Sequence, residues 1–324
     1  MGTMPIELSI PFSMLGSLTD IPPVQSALIG DTVRIETIPE IWIESVREQC
    51  PKVAAREHGH RLGEYTNRLY ITLDPTVTSP LDITEAELQP LFRAIVLSHI
   101  VKPTPIAIDD VKVKTVHEQD GRMTHYCIVG DNNMTVALVS PHESDFTITE
   151  PDCQVMSTLW ASFSEILEDS NSQTPRYSRI VRAIKNFEYA HYIYFANLSY
   201  LVYHSALEFL IYFGNVRRRQ NRAQIVGRLP LLLPGVVSTQ DATDIYDLNL
   251  HYKHGPEPSG ALSLASSGDE VIRTMALLRE SVRLLLLRAL DDRSFADILV
   301  DHDLIKHHFW RFWERRNNNL SHCG

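Results

Sequence analysis

The stretch Ser178-Arg179-Ile180-Val181-Arg182-Ala183-Ile184-Lys185-Asn186-Phe187 decides the fold of the second half of this chain. Ile180, Val181, Ile184 and Phe187 recur at the spacing of one helix face. Leu198, Leu201, Val202, Leu207 and Leu210 carry the pattern on to Gly214, a run long enough to predict two helices with a short break near Asn197. Further helices are predicted over residues 217–232, 241–252, 270–290 and 296–299, with a last one through Trp310 and Trp313. Helices joined by short connections pack as a bundle.

Upstream, the polar run Glu168-Asp169-Ser170-Asn171-Ser172-Gln173-Thr174-Pro175 suits a linker, and before it the character of the chain changes. Residues 69–73 and 111–116 alternate like strands, and Asp120-Gly121 offers a hairpin turn into residues 125–129. Gly130-Asp131-Asn132-Asn133 then predicts an interruption and a further strand over 134–139. Thr84 and Glu87 are spaced as a capping box before Leu91, Phe92, Ile95, Val96 and His99, with Pro90 either kinking or starting that helix. The fold class is therefore an α+β N-terminal domain over residues 1–172, followed by an all-α helical bundle over 173–324.

A chain of 324 residues with 44% hydrophobic and 22% charged residues has the composition of an ordinary two-domain globular protein. Its net charge of -10 and pI of about 5.8 exclude nucleic-acid binding through bulk charge, so any RNA contact needs a local patch. The four cysteines contain no C-x-x-C pair, which argues against a structural zinc site and against a disulfide framework and points to a reducing cytoplasm. The N-terminus has no apolar signal segment, Ile6 stands where a myristoylation motif wants Ser or Thr, and the apolar run Leu284 to Leu287 is closed by Arg283 and Arg288. No membrane association and no cofactor are expected.

Three features of the second half occur in a telling order: Ala183 to Phe187 with Ser205-Ala206-Leu207-Glu208-Phe209-Leu210; an arginine-rich segment with Arg222 and Arg228; and Ile245-Tyr246-Asp247-Leu248-Asn249-Leu250-His251-Tyr252-Lys253-His254-Gly255 before a long helix. Together they resemble the Apea-like branch of the HEPN superfamily. The resemblance covers the C-terminal half only. It implies a helical HEPN-like bundle, a homodimer whose paired motifs line one cleft, metal-independent RNA cleavage in active members, and a role in prokaryotic stress or antiviral defence. The family signature is an arginine, a short spacer and a histidine near a helix end, often followed by glycine. His254 and Gly255 supply the second half, whereas Asn249 occupies the arginine's place, and no arginine lies between Arg228 and His254.

Metal-free RNA cleavage moves a proton off the ribose 2′-hydroxyl, protonates the leaving oxygen and offsets charge on the phosphorane. Histidine serves the proton steps and the arginine fork the charge, while the neutral amide of Asn249 does neither. The candidate catalytic set is His254, Asn249 and His251, which lies one turn earlier. Restoring arginine at position 249 would be expected to raise activity if the motif is simply degenerate.

Candidate RNA-binding residues are Arg217, Arg218, Arg219, Arg222 and Arg228, joined by Lys253. The expected function is a HEPN-type protein that binds RNA or a protein partner with a degenerate ribonuclease motif. The alternatives are an active metal-independent endoribonuclease using His254, or a dimerisation scaffold whose N-terminal domain senses a ligand or protein. Plainer readings stand beside these. His254-Gly255 is also a helix C-cap, the arginines a solvated face, Glu208 a structural hydrogen-bonding acid, and the aromatic and arginine-rich run 307–316 a packing element. His58-Gly59-His60 has no third ligand nearby, so no metal is expected.

Overall fold

The computed structural model describes residues 5–14, 26–50, 67–73, 84–102, 106–135, 148–193, 195–212, 218–254, 268–301, 303–305 and 307, with the backbone alone at 11–14, 106–111, 128–135 and 218–220. Two compact units divide the chain: residues 1–138 with 142–161, and 139–141 with 162–324. An antiparallel sheet fills the first and helices the second. Among the described residues no helix is long and apolar enough to cross a membrane.

In the first unit six strands follow the order β2-β3-β4-β1-β5-β6. They are β1 (Ile6–Met14), β2 (Ser26–Ile29), β3 (Val33–Thr37), β4 (Asn67–Leu73), β5 (Ile106–His117) and β6 (Met123–Thr135). Asp120-Gly121 makes the expected β5–β6 turn, with Gly121 at φ 83°. The predicted interruption at Gly130 is instead a bulge: β6 runs on, and its register with β5 shifts between Asp109 and Val111. Residues 136–139 lie outside the described residues.

Alternation gives the sheet two faces. Lys114 reaches Glu87 (3.4 Å) on α2 (Glu85–Val101), so α2 covers the face of Leu8, Ile10, Ile35, Leu69 and Ile71. The α2 start is the predicted capping box, and Pro90 lies inside the helix. The opposite face carries Val113, Thr115, His125 and Cys127, over which α1 (Glu40–Gln49) lays Trp42 and Val46. Arg68 on that face pairs with Glu36 (2.7 Å) and Glu7 (3.3 Å) and stacks on Trp42 and Tyr70.

Cys50, at the end of α1, forms a disulfide with Cys127 of β6. This corrects the expectation of no disulfide. The partners are 77 residues apart in sequence, so no local spacing announces them, and only the seating of α1 against β6 brings them together.

A helix not anticipated, α3 (Glu150–Asp169), begins in the first unit and ends in the second. Its Trp160 lies against the β2–β3 turn, where Gly30 has φ 61° and any Cβ would overlap the indole ring. Gly30→Ala combines left-handed strain with overpacking and is expected to cost about 3 kcal/mol. A urea midpoint equal to wild type would show that the ring yields freely.

The second unit contains α4 (Ser178–His191), α5 (Ala196–Ile211), α6 (Arg218–Leu232), α7 (Thr239–His254), α8 (Gly268–Asp291) and α9 (Arg293–Val300). The α4 stripe is buried as its spacing predicts, with Ile180 and Phe187 at 0% exposure. α4 ends at His191 and α5 begins at Ala196, so the break falls just before Asn197. α8 packs against α4, α5, α7 and α9 through Leu278, Val282, Leu285 and Leu286.

Candidate functional site

α7 carries the motif, and its placement follows from its ends. Ser238 and Asp241 cap the start reciprocally: the Ser238 N–H and Oγ–H donate to Asp241 Oδ2 (2.9 and 2.6 Å), and the Asp241 N–H donates to Ser238 Oγ (3.1 Å). His251, Lys253 and His254 occupy the last turn, where positive charge suits the dipole. Along the inner face, Ala242, Ile245, Tyr246, Leu248 and Asn249 are buried.

Side-chain contacts join α5 to α7. The Tyr200 hydroxyl near the start of α5 donates to the Ile245 carbonyl (2.6 Å), and Glu208 near its end lies 3.6 Å from Lys253. Between them the Tyr200 ring stands 5.4 Å from that of Tyr252 and the His204 ring 6.5 Å from that of Tyr246.

The structure separates two residues that the motif joins. His254 is exposed at the helix end, whereas Asn249 is only 3% exposed. Five residues of helix rotate one from the other by about 140°. Asn249 therefore faces the bundle interior, and its Oδ1 has no hydrogen-bond partner among the described residues. His251 is half-buried with Nδ1 likewise unpartnered, its ring 5.7 Å from that of Tyr252.

The basic residues are placed differently from one another. Arg222 lies 3.5 Å from Asp247, about 10 Å along the axis from His254. Arg228 donates from Nη1 to the Ile211 carbonyl (2.8 Å) and to Gln224 Oε1 (2.7 Å), bracing the C-terminal end of α5. Arg179, which the motif reading passed over, donates to the adjacent Tyr212 carbonyl. Burial lowers the pKa of both, and the Arg228 charge adds to the effect on Arg179, held to about 10. Arg218 and Arg219 are the first two residues of α6, while Arg217 and Gly255 lie outside the described residues, as do His58, His60, Trp310 and Trp313.

Lys253 also belongs to a polar cluster with two residues of α5. His204 Nδ1 is 3.2 Å from Glu208 Oε1, which is itself 3.6 Å from Lys253 Nζ. His204 is fully buried, and neither ring nitrogen is aligned for a hydrogen bond among the described residues. Burial pushes its pKa below the ordinary histidine value against the pull of Glu208, so the ring is neutral at pH 7. Burial works against ionisation of Glu208, but His204 and Lys253 together outweigh it and hold its pKa low. The rings of Tyr200 (6.4 Å) and Tyr246 (6.5 Å) stand beside His204. Glu208 was expected to act inside the bundle; His204 was missed, although four residues before Glu208 is the spacing of one helix face.

No group of His, Cys, Asp and Glu able to hold a metal occurs among the described residues. A cavity of about 40 Å³ lined by Asp241, Asp244, Glu270, Arg273, Thr274 and Leu277 sits toward the other end of α7 and is far too small for a nucleotide. No protein-family model, curated protein or solved structure matches the chain.

Proposed function

We propose that the helical unit is a HEPN-type module that binds single-stranded RNA at the C-terminal end of α7 without cleaving it. Asn249 carries the reading: it points into the bundle, away from His254, and puts no phosphate-gripping donor beside the imidazole. Arg222 is engaged by Asp247 and Arg228 braces α5, so neither supplies the missing fork there. His254 and Lys253 are then phosphate contacts, assisted by Arg218 and Arg219 at the start of α6 and by Arg217 before them in the sequence. Following the resemblance, the module is a homodimer in prokaryotic stress or antiviral defence, with the sheet unit engaging a ligand or protein.

In EDTA, the full chain is expected to bind a labelled single-stranded RNA 20-mer with marked salt dependence and leave it intact. His254→Ala should weaken binding about fivefold, the value of one phosphate contact. Cleavage that His254→Ala abolishes would establish the ribonuclease reading, and absence of binding at low salt would remove RNA altogether. A protein-docking reading draws on one observation: Tyr189, Phe195 and Leu198, around the α4–α5 turn, are 62%, 64% and 47% exposed.

A further inference from the structure

Lys253 is not simply a cation at the end of α7; it shares one carboxylate with a histidine sealed inside the bundle. Glu208, on α5, faces Lys253 Nζ at 3.6 Å and His204 Nδ1 at 3.2 Å through the same oxygen, Oε1. Exposure rises along the chain of groups, from 0% at the His204 side chain to 29% at Glu208 and 39% at Lys253. One end of the chain is dry, and the other reaches solvent beside His254.

We infer that Glu208 is an internal counter-ion competing with RNA phosphate for Lys253, and that proton binding at His204 relieves the competition. The inference rests on the RNA-binding reading and names the regulation of that same site. With His204 neutral, the whole charge of Glu208 acts on Lys253, and the pair presents no net charge to an incoming phosphate. A proton taken from solvent at Nε2 makes His204 an imidazolium 3.2 Å from the carboxylate. Glu208 then faces two cations, the cluster gains one positive charge, and Lys253 is released toward phosphate.

Glu208 and Lys253 are the charged groups bearing on His204, and Tyr200 and Tyr246 the other titratable rings beside it.

The test compares wild type, Glu208→Gln, His204→Gln and Lys253→Met for binding of the labelled RNA 20-mer between pH 7.5 and 5.5, with circular dichroism confirming the helical fold at each pH. Wild type should tighten about fivefold more than His204→Gln over this range. Glu208→Gln should bind more tightly than wild type at pH 7.5, and Lys253→Met should lose the extra pH dependence. NMR titration of the His204 ring without RNA provides the independent readout: its pKa should fall in Glu208→Gln and rise in Lys253→Met. Absence of RNA binding at every pH removes the interface together with its regulation, even with the ring shifts intact. Binding with the same pH profile in wild type and Glu208→Gln overturns the regulation alone, as does a His204 titration unmoved by either substitution.

Discussion

Asn249→Arg is expected to destabilise the helical unit by more than about 3 kcal/mol and to produce no ribonuclease. By pattern alone, position 249 is where an arginine would restore a phosphate fork beside His254, so the substitution looks like a gain of function. The geometry reverses that expectation. Asn249 is 3% exposed and shares the buried side of α7 with Ala242, Ile245, Tyr246 and Leu248. A guanidinium there would enter a closed interior, adding overpacking to the desolvation of a charge. Glu208, the acid of α5, is already shared by His204 and Lys253. A large drop in the urea midpoint, with RNA intact in EDTA, is the expected result. A folded variant of wild-type stability that cleaves RNA would mean that position 249 reaches the His254 surface, and the non-cleaving reading would fall with it.

The contrast shows what a linear motif conveys. A spacing along the chain names residues but not their azimuth, and about 140° of helix separates two positions five apart. The helices themselves were legible because each signal is local: the α4 stripe, the break before Asn197 and the Thr84–Glu87 box all appear where their side chains dictate. The Asp120-Gly121 turn was legible for the same reason. β1 was not, because Pro11 argues against a central strand; its pairing with β5 is irregular between Ser9 and Ser13, so no ladder bond to β5 depends on the absent N–H. β2 and β3 are four and five residues long, too short to declare a period. α3 was obscured by the polar run that follows it, although Cys153, Met156, Leu159, Phe163 and Ile166 keep helical spacing and are buried. The Cys50–Cys127 disulfide and the Glu208–Lys253 pair depend on packing between distant segments, which no window of sequence contains.

Acid should weaken the sheet unit through a single histidine. His125 is 5% exposed, its Nδ1 2.9 Å from Thr115 Oγ1 and its Nε2 3.1 Å from Ser45 Oγ, so both ring nitrogens are already occupied. Burial, then the charge of Arg68, then His117 depress its pKa from 6.5 to about 4. The fold thus prefers the neutral ring, whereas the unfolded chain accepts a proton near pH 6.5. Stability from this site is complete above about pH 6.5 and drains away as pH falls toward 4, by about 2 to 3 kcal/mol once solvent screening is allowed for. The His125 ring stands 5.9 Å from that of Trp42, so tryptophan fluorescence follows the loss directly. His125→Gln keeps a neutral hydrogen-bonding side chain, is expected to be less stable than wild type at pH 7.5, and should converge on it by pH 4.5. Urea midpoints that fall in parallel for the two proteins across that range would place the acid sensitivity elsewhere, and the neutral, doubly engaged imidazole between α1 and β5 would no longer account for it.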